Sequence, residues 1–190
     1  MFLERVVKNR YSTKDIKTIT NNRSVFFDAN VLIYIFWPTT PSDAKAKSYS
    51  SIFTKLLKNK NPLIINFVIL SEVINRILKI EYERYKANNH EKVLFKQFRK
   101  SEEGRKIVSI IYSEIRNKIM RVFKISSKMF TKEDIESFLR KDSLDFNDNA
   151  IVSLCKYSNY VLCTHDADFT DEDIDIISSN SEFFKTIKNK

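Results

Sequence analysis

The sequence predicts an α/β fold in which helices cover a parallel sheet, and three observations predict it. Short β-prone apolar runs at residues 25–27, 63–67 and 160–164 alternate with longer stretches whose apolar residues recur every three to four positions. A carboxylate follows each run: Asp28 after the first, Glu72 after the second and Asp166 after the third. A chain of 190 residues is long enough to bury one core, and it shows no internal repeat and no low-complexity linker. Residues 1–190 are therefore read as a single domain.

Residues 1–23 are polar and basic with a weak helical pattern, which predicts an arm or short helix outside the core. The first strand, Val25, Phe26 and Phe27, turns at Asp28 into a short helix through Phe36, closed by Pro38 and Pro41. Ser42 or Asp43 can cap the next helix, which runs to about Asn59. Pro62 opens the second strand. The helix after it places Leu70, Val73, Ile74, Ile77 and Leu78 on the 3.6 period, with Glu72 in its first turn.

Residues 84–128 predict one or two further helices, with Ile107, Ile111, Ile115, Ile119 and Val122 as an apolar stripe. Thr131 and Asp134 resemble a capping pair for a helix to Arg140. Residues 84–140 are thus an extended helical insertion. A helix from near Leu144 carries Asp148, Ile151, Val152, Leu154 and Cys155. The third strand follows, and residues 174–177 predict a last, shorter strand at an edge.

The net charge of +9 makes a polyanion a fitting partner, because Lys and Arg displace counterions from phosphate backbones. The excess sits in the helical segment: residues 84–128 hold 13 Lys or Arg against 4 Glu, and the rest of the chain balances. Lys118, Arg121 and Lys124 are the expected contacts to such a polyanion there. Cys155 and Cys163 lie in apolar contexts without metal-ligand spacing and read as reduced core residues of a cytoplasmic protein. No apolar run reaches the roughly 18 residues of a membrane span. The only glycine, Gly104, lies far from any strand-to-helix turn, so neither a P-loop nor a dinucleotide fingerprint can be written.

Each acid alone has an ordinary reading. Asp28 can end a strand, Glu72 and Asp148 can favour helix starts, and Asp166 can make a turn. At the strand ends of an open α/β sheet, however, all four face one crevice. Two unit charges about 6 Å apart at an effective dielectric of about 20 repel by about 3 kcal/mol, so such a cluster calls for a cation or protons. Oxygen donors of this kind suit Mg²⁺ or Mn²⁺ and disfavour zinc, since His90 and His165 do not form a ligand pair. With a basic flank, the matching chemistry is metal-assisted phosphodiester hydrolysis.

The segments FFDANVLIY (26–34), SEVINRIL (71–78), FNDNAIVSL (146–154) and VLCTHDADF (161–169) resemble, in order and spacing, the motifs of PIN domain nucleases. They look most like the toxin ribonucleases of bacterial toxin–antitoxin pairs. The resemblance implies a three-layer α/β/α sandwich with a central parallel sheet, and a Mg²⁺- or Mn²⁺-dependent endoribonuclease acting on single strands. By motif, Asp28, Glu72, Asp148 and Asp166 are the catalytic and metal-binding acids, with Asp168 as an auxiliary ligand and Asn30 and Thr164 as polar supports. RNA is the implied substrate, with an antitoxin protein and a second copy of the chain as partners the resemblance allows. The basic stretch from Arg84 to Arg140 is longer than in the compact toxins. Asp145, one turn before Asp148, competes for the third role; Asp148 is preferred because Ile151 and Val152 turn its face towards the sheet.

Two rivals differ in class. A haloacid-dehalogenase-like phosphatase also starts with an acid after a strand, but Asn30 stands where its second Asp belongs. A non-catalytic nucleic-acid-binding or scaffold protein of the same fold is the stronger rival. The presence of all four acids argues against it.

Overall fold

The structure, a computed structural model, describes residues 9–19, 22–37, 43–89, 92–139 and 144–185. Six strands form one sheet: β1 (Arg10–Tyr11), β2 (Val25–Phe27), β3 (Leu63–Ile65), β4 (Lys124–Ile125), β5 (Val161–Cys163) and β6 (Ile176–Ile177). The order is β1-β6-β5-β2-β3-β4 and every pairing is parallel. The described helices are α1 (Ala29–Phe36), α2 (Ala44–Lys58), α3 (Phe67–Asn89), α4 (Phe95–Lys100), α5 (Glu102–Glu114), α6 (Lys132–Phe138) and α7 (Phe146–Ser158).

From β2 the chain steps outward to β3 and β4, then returns to the far side of β2 for β5. Right-handed crossovers in opposite directions place α1 to α5 on one face of the sheet and α6 and α7 on the other. The result is the three-layer α/β/α sandwich that the sequence predicts. The strand order reverses between β2 and β5, the position at which such sheets open a crevice at the strands' C-terminal ends.

The three central strands are apolar and buried at every position, as expected for strands covered on both faces. Tyr49, Phe26, Phe27, Phe98 and Phe169 are the bulkiest fully buried side chains. Both cysteines are buried free thiols, and burial pushes the pKa of each upward. Among the described residues no helix is long and apolar enough to cross a membrane.

Several boundaries depart from the sequence expectation. The segment expected as an arm outside the core enters it: Arg10–Tyr11 pair with β6, and Ile16 and Ile19 are buried. Consequently β6 is not an edge strand. The second strand stops at Ile65, since Asn66 accepts the Ile69 N–H through its side chain and starts α3, leaving Phe67 exposed as a helical residue. That puts Glu72 in the second turn rather than the first.

One continuous α3 runs past Arg84 to Asn89, and the segment after it holds a strand that the sequence did not reveal, the exposed edge strand β4. Its two residues carry too little pattern to be seen. The apolar stripe of α5 also shifts. A π-helical turn at Ile115–Ile119, in which Met120 N–H donates to the Ile115 carbonyl, adds one residue, so Phe123 is buried in place of Val122. The capping pair Thr131 and Asp134 forms as expected on α6, which ends at Phe138. Asp43 caps α2; Ser42, Pro38, Pro41, His90 and Arg140 lie outside the described residues.

Candidate active site

Register creates the centre of the site. Phe26 lies opposite Leu162 and Phe27 opposite Cys163, so the next residues on β2 and β5, Asp28 and Thr164, leave the sheet side by side. Asp28 N–H donates to the Cys163 carbonyl at 3.0 Å. Thr164 Oγ1 donates to Asp28 Oδ2 at 2.7 Å, and Asn30 Nδ2 donates to the same oxygen at 2.6 Å. The other oxygen accepts the Ala29 N–H at 2.6 Å, which makes Asp28 the N-cap of α1.

Asp28 is only 7% exposed, and among the described residues no Lys or Arg forms an ion pair with it, although Arg76 is near enough to lower its pKa. Burial raises its pKa to about 6; donation from Thr164 opposes the rise, and repulsion by Glu72 adds to it. Asp175, the other buried acid, is different. It sits at the opposite end of the sheet, paired with Arg23 at 2.6 Å and accepting the Asn9 N–H, and so is neutralised as a structural group.

Thr164 also accepts the Asp166 N–H at 3.0 Å, and Asp166 in turn accepts the Asp168 N–H at 3.1 Å to cap the 3₁₀ turn Ala167–Asp171. Asn30 completes the link by accepting the His165 N–H at 3.3 Å. Both expected polar supports therefore tie the β2 and β5 ends together. Asp168 is exposed at the rim.

On α7, Asp145 is the exposed N-cap and accepts the Asp148 N–H at 2.9 Å. Asp148 is partly buried, and its pKa is pushed up to about 7 by burial first and then by repulsion from Asp145, Asp28, Asp166 and Asp168. Asp148 thus lies within the electrostatic reach of the acids at the β2 and β5 ends. Glu72 pairs with Arg76 one turn on, at 2.9 Å.

The acids thus share one electrostatic neighbourhood. Their oxygen donors and mutual repulsion fit a hard divalent ion in chemistry. They do not fit one in spacing as they stand: among the described residues no three His, Cys, Asp or Glu side chains are close enough to hold an ion together. As they stand, Glu72 is paired with Arg76 and Asp166 accepts the Asp168 N–H of its own cap.

Beneath the site lies a support that sequence reasoning missed. Tyr49 of α2 is fully buried; its hydroxyl donates to the Thr164 carbonyl at 2.9 Å and lies within 3.0 Å of His165 Nδ1 and 3.2 Å of Ser178 Oγ. Tyr34 stacks on its ring, and Lys45 lies over Tyr34. Burial, and then Lys45, lower the His165 pKa, and Asp166 and Asp43 oppose them.

With the site's geometry in place, comparison with known proteins is decisive on family. Residues 25–174 match the sequence profile of the PIN domain. The chain belongs to the PIN domain family. No curated protein and no solved structure matches it. The matched span begins at β2 and ends before β6, so it includes all four acids and leaves β1 outside. PIN domains are generally nucleases, and this one carries the family fold as a parallel sheet of six strands.

Basic groups outside the emphasised segment also lie on the acid-bearing helix of this PIN domain, where Arg76 pairs with Glu72. Arg76 and Lys79 follow Glu72 by four and seven residues and share its face of α3, a spacing that was visible in SEVINRILK. Lys118 and Arg121 instead precede β4, at the N-terminal end of the strands, whereas the acids follow the C-terminal ends. Lys118 pairs with Glu114.

Proposed function

We propose that the protein is a Mg²⁺- or Mn²⁺-dependent endoribonuclease that hydrolyses phosphodiester bonds of single-stranded RNA, and that it is the cytoplasmic toxin of a toxin–antitoxin pair. Asp28 carries the proposal. A carboxylate buried without an ion pair of its own costs several kcal/mol, and this one stands at the point where the strand order reverses, in one electrostatic neighbourhood with Asp148, Asp166 and Glu72 and with Arg76 as its basic neighbour. Support for the toxin role comes from the four motifs and their spacing; an antitoxin protein and a second copy of the chain are its proposed partners.

Asp28, Glu72, Asp148 and Asp166 would hold the ion, with Asp168 at the rim. When bound, Mg²⁺ or Mn²⁺ supplies charge neutralisation at the phosphoryl group and acidifies the attacking water. Thr164 and Asn30 aim Asp28 Oδ2 by donating to it, and Tyr49 fixes the Thr164 backbone from below. Burial and mutual repulsion raise the pKa of Asp28 to about 6 and of Asp148 to about 7, a repulsion that a bound cation would relieve. Water adds to phosphorus as the bond to the leaving ribose oxygen breaks, and a proton passes from the water to solvent or to a carboxylate while the leaving oxygen takes one up.

The test is cleavage of a single-stranded RNA with Mg²⁺, with Mn²⁺ and with EDTA. Cleavage that EDTA abolishes and that Asp28→Asn removes is expected. The spacing of the acids favours one rival, a non-catalytic nucleic-acid-binding or scaffold protein. RNA binding with no cleavage under any divalent ion would decide for it.

A further inference from the structure

Two grooves flank α3, one reaching Asn30 and the other Glu72. One, about 640 Å³, lies between α1 and α3 against Ile33, Tyr34 and Ile80, and reaches Asn30, the residue bonded to Asp28. The other, about 420 Å³, lies over the start of α3 beside Phe67 and Val68, and reaches Glu72 with Asn147 of α7. Arg76 and Lys79 line both, so they form the ridge between them. Phe67 is 78% exposed. Core packing does not hold a phenylalanine in that position.

We propose that these grooves are the subsites for nucleotides on the two sides of the scissile phosphate of single-stranded RNA, a placement that rests on the nuclease assignment of the carboxylates. One base lies on Phe67, another lies against Ile33, Tyr34 and Ile80, and Arg76 and Lys79 meet the phosphates between them. A base needs a flat apolar surface and its phosphate a cation, and the ridge alternates the two within a few residues. Stacking on an aromatic ring accepts every base, so these subsites select for unpaired strands rather than for sequence. The lining of the first groove, with Arg76, Lys79 and Arg84 against Glu83, keeps a net positive charge and favours a polyanion over a protein segment as occupant.

The test measures binding of a short fluorescein-labelled single-stranded RNA in EDTA, where no cleavage occurs. Phe67→Ala should weaken binding about 5- to 150-fold, and Phe67→Tyr should restore it. Lys79→Ala should lower the slope of log K against log salt by about 0.7. Thermal melts confirm that each variant is folded, as expected for exposed side chains. Unchanged binding by both alanine variants, with a wild type that cleaves RNA, would overturn the subsites and leave the nuclease assignment standing. The expected losses with a wild type that never cleaves would leave the grooves as a binding track and remove the nuclease assignment. A wild type that binds no single-stranded RNA would overturn both.

Discussion

Thr164 Oγ1 donates a 2.7 Å hydrogen bond to Asp28 Oδ2 and accepts the Asp166 N–H at 3.0 Å, so one hydroxyl aligns acids from two strand ends. Thr164→Val keeps the shape and removes both bonds. At pH 8, where Asp28 is ionised, urea denaturation should show a loss of about 1.5–3 kcal/mol, the range for hydrogen bonds to charged groups. At pH 5 a protonated Asp28 needs the donor less, and the loss should be smaller. RNA cleavage should fall at least tenfold, and Thr164→Ser should recover most of it. An equal cost at both pH values would show that Thr164 supports the backbone alone.

Asp145 and Asp148 separate by substitution with asparagine. Asn caps a helix about as well as Asp, so Asp145→Asn should leave both stability and cleavage near wild type. Asp148→Asn should abolish cleavage and weaken Mg²⁺ binding. The reverse pattern in a cleavage assay would assign the third acid to Asp145.

The pH dependence of stability has a definite sign. The folded-state pKa values of Asp28 and Asp148, about 6 and about 7, exceed the usual value of 3.8, so the native state binds more protons than the unfolded one between those limits. Stability then falls as pH rises through that window, and the penalty is fully present above about pH 7 and gone below about pH 4. Melts in EDTA should show the melting temperature rising from pH 7.5 to pH 5. Millimolar Mg²⁺ or Mn²⁺ at pH 7.5 should raise it by mass action and release protons, and Asp148→Asn should shrink both effects. A melting temperature indifferent to either ion counts against the metal assignment.

Neutralising Lys118, Arg121 and Lys124 together should leave the salt dependence of RNA binding nearly unchanged, because Lys118 and Arg121 precede β4 at the end of the sheet away from the acids. Neutralising Arg76 and Lys79 should lower that slope by about 1.4, two single-strand contacts. If the first triple instead removes about two units, the basic helical segment carries the strand after all.

The central fold was readable because buried parallel strands are continuous apolar runs and their helices keep a 3.6 period, as at Val73, Ile77 and Leu78. Asp28, Asn30, Thr164 and Asp166 were readable for a related reason: each follows a strand whose register the pattern dictates. What escaped detection was fixed by partners distant in sequence. Arg10–Tyr11 form a strand only because β6 offers an edge, and Lys124–Ile125 only because β3 does. Tyr49 reads as one more apolar helix residue until β5 brings Thr164 over it. The charge count of residues 84–128 carries no information on which end of the sheet each charge occupies: Lys118 and Arg121 precede β4, whereas Lys128 follows it.

The sheet order β1-β6-β5-β2-β3-β4 also sets a timetable for synthesis. Emerging from the ribosome, β2, β3 and β4 can associate early, but β1 must wait for its neighbour, and the last-made strands have to slot between β1 and β2. Until residues 161–177 arrive, Asp28 has neither the Thr164 hydroxyl nor Asp166 beside it. Arg10 reinforces this order by donating to the carbonyls of Thr170, Glu172 and Ile174, clamping the late-arriving loop that carries Asp168 only once both ends of the polypeptide are present.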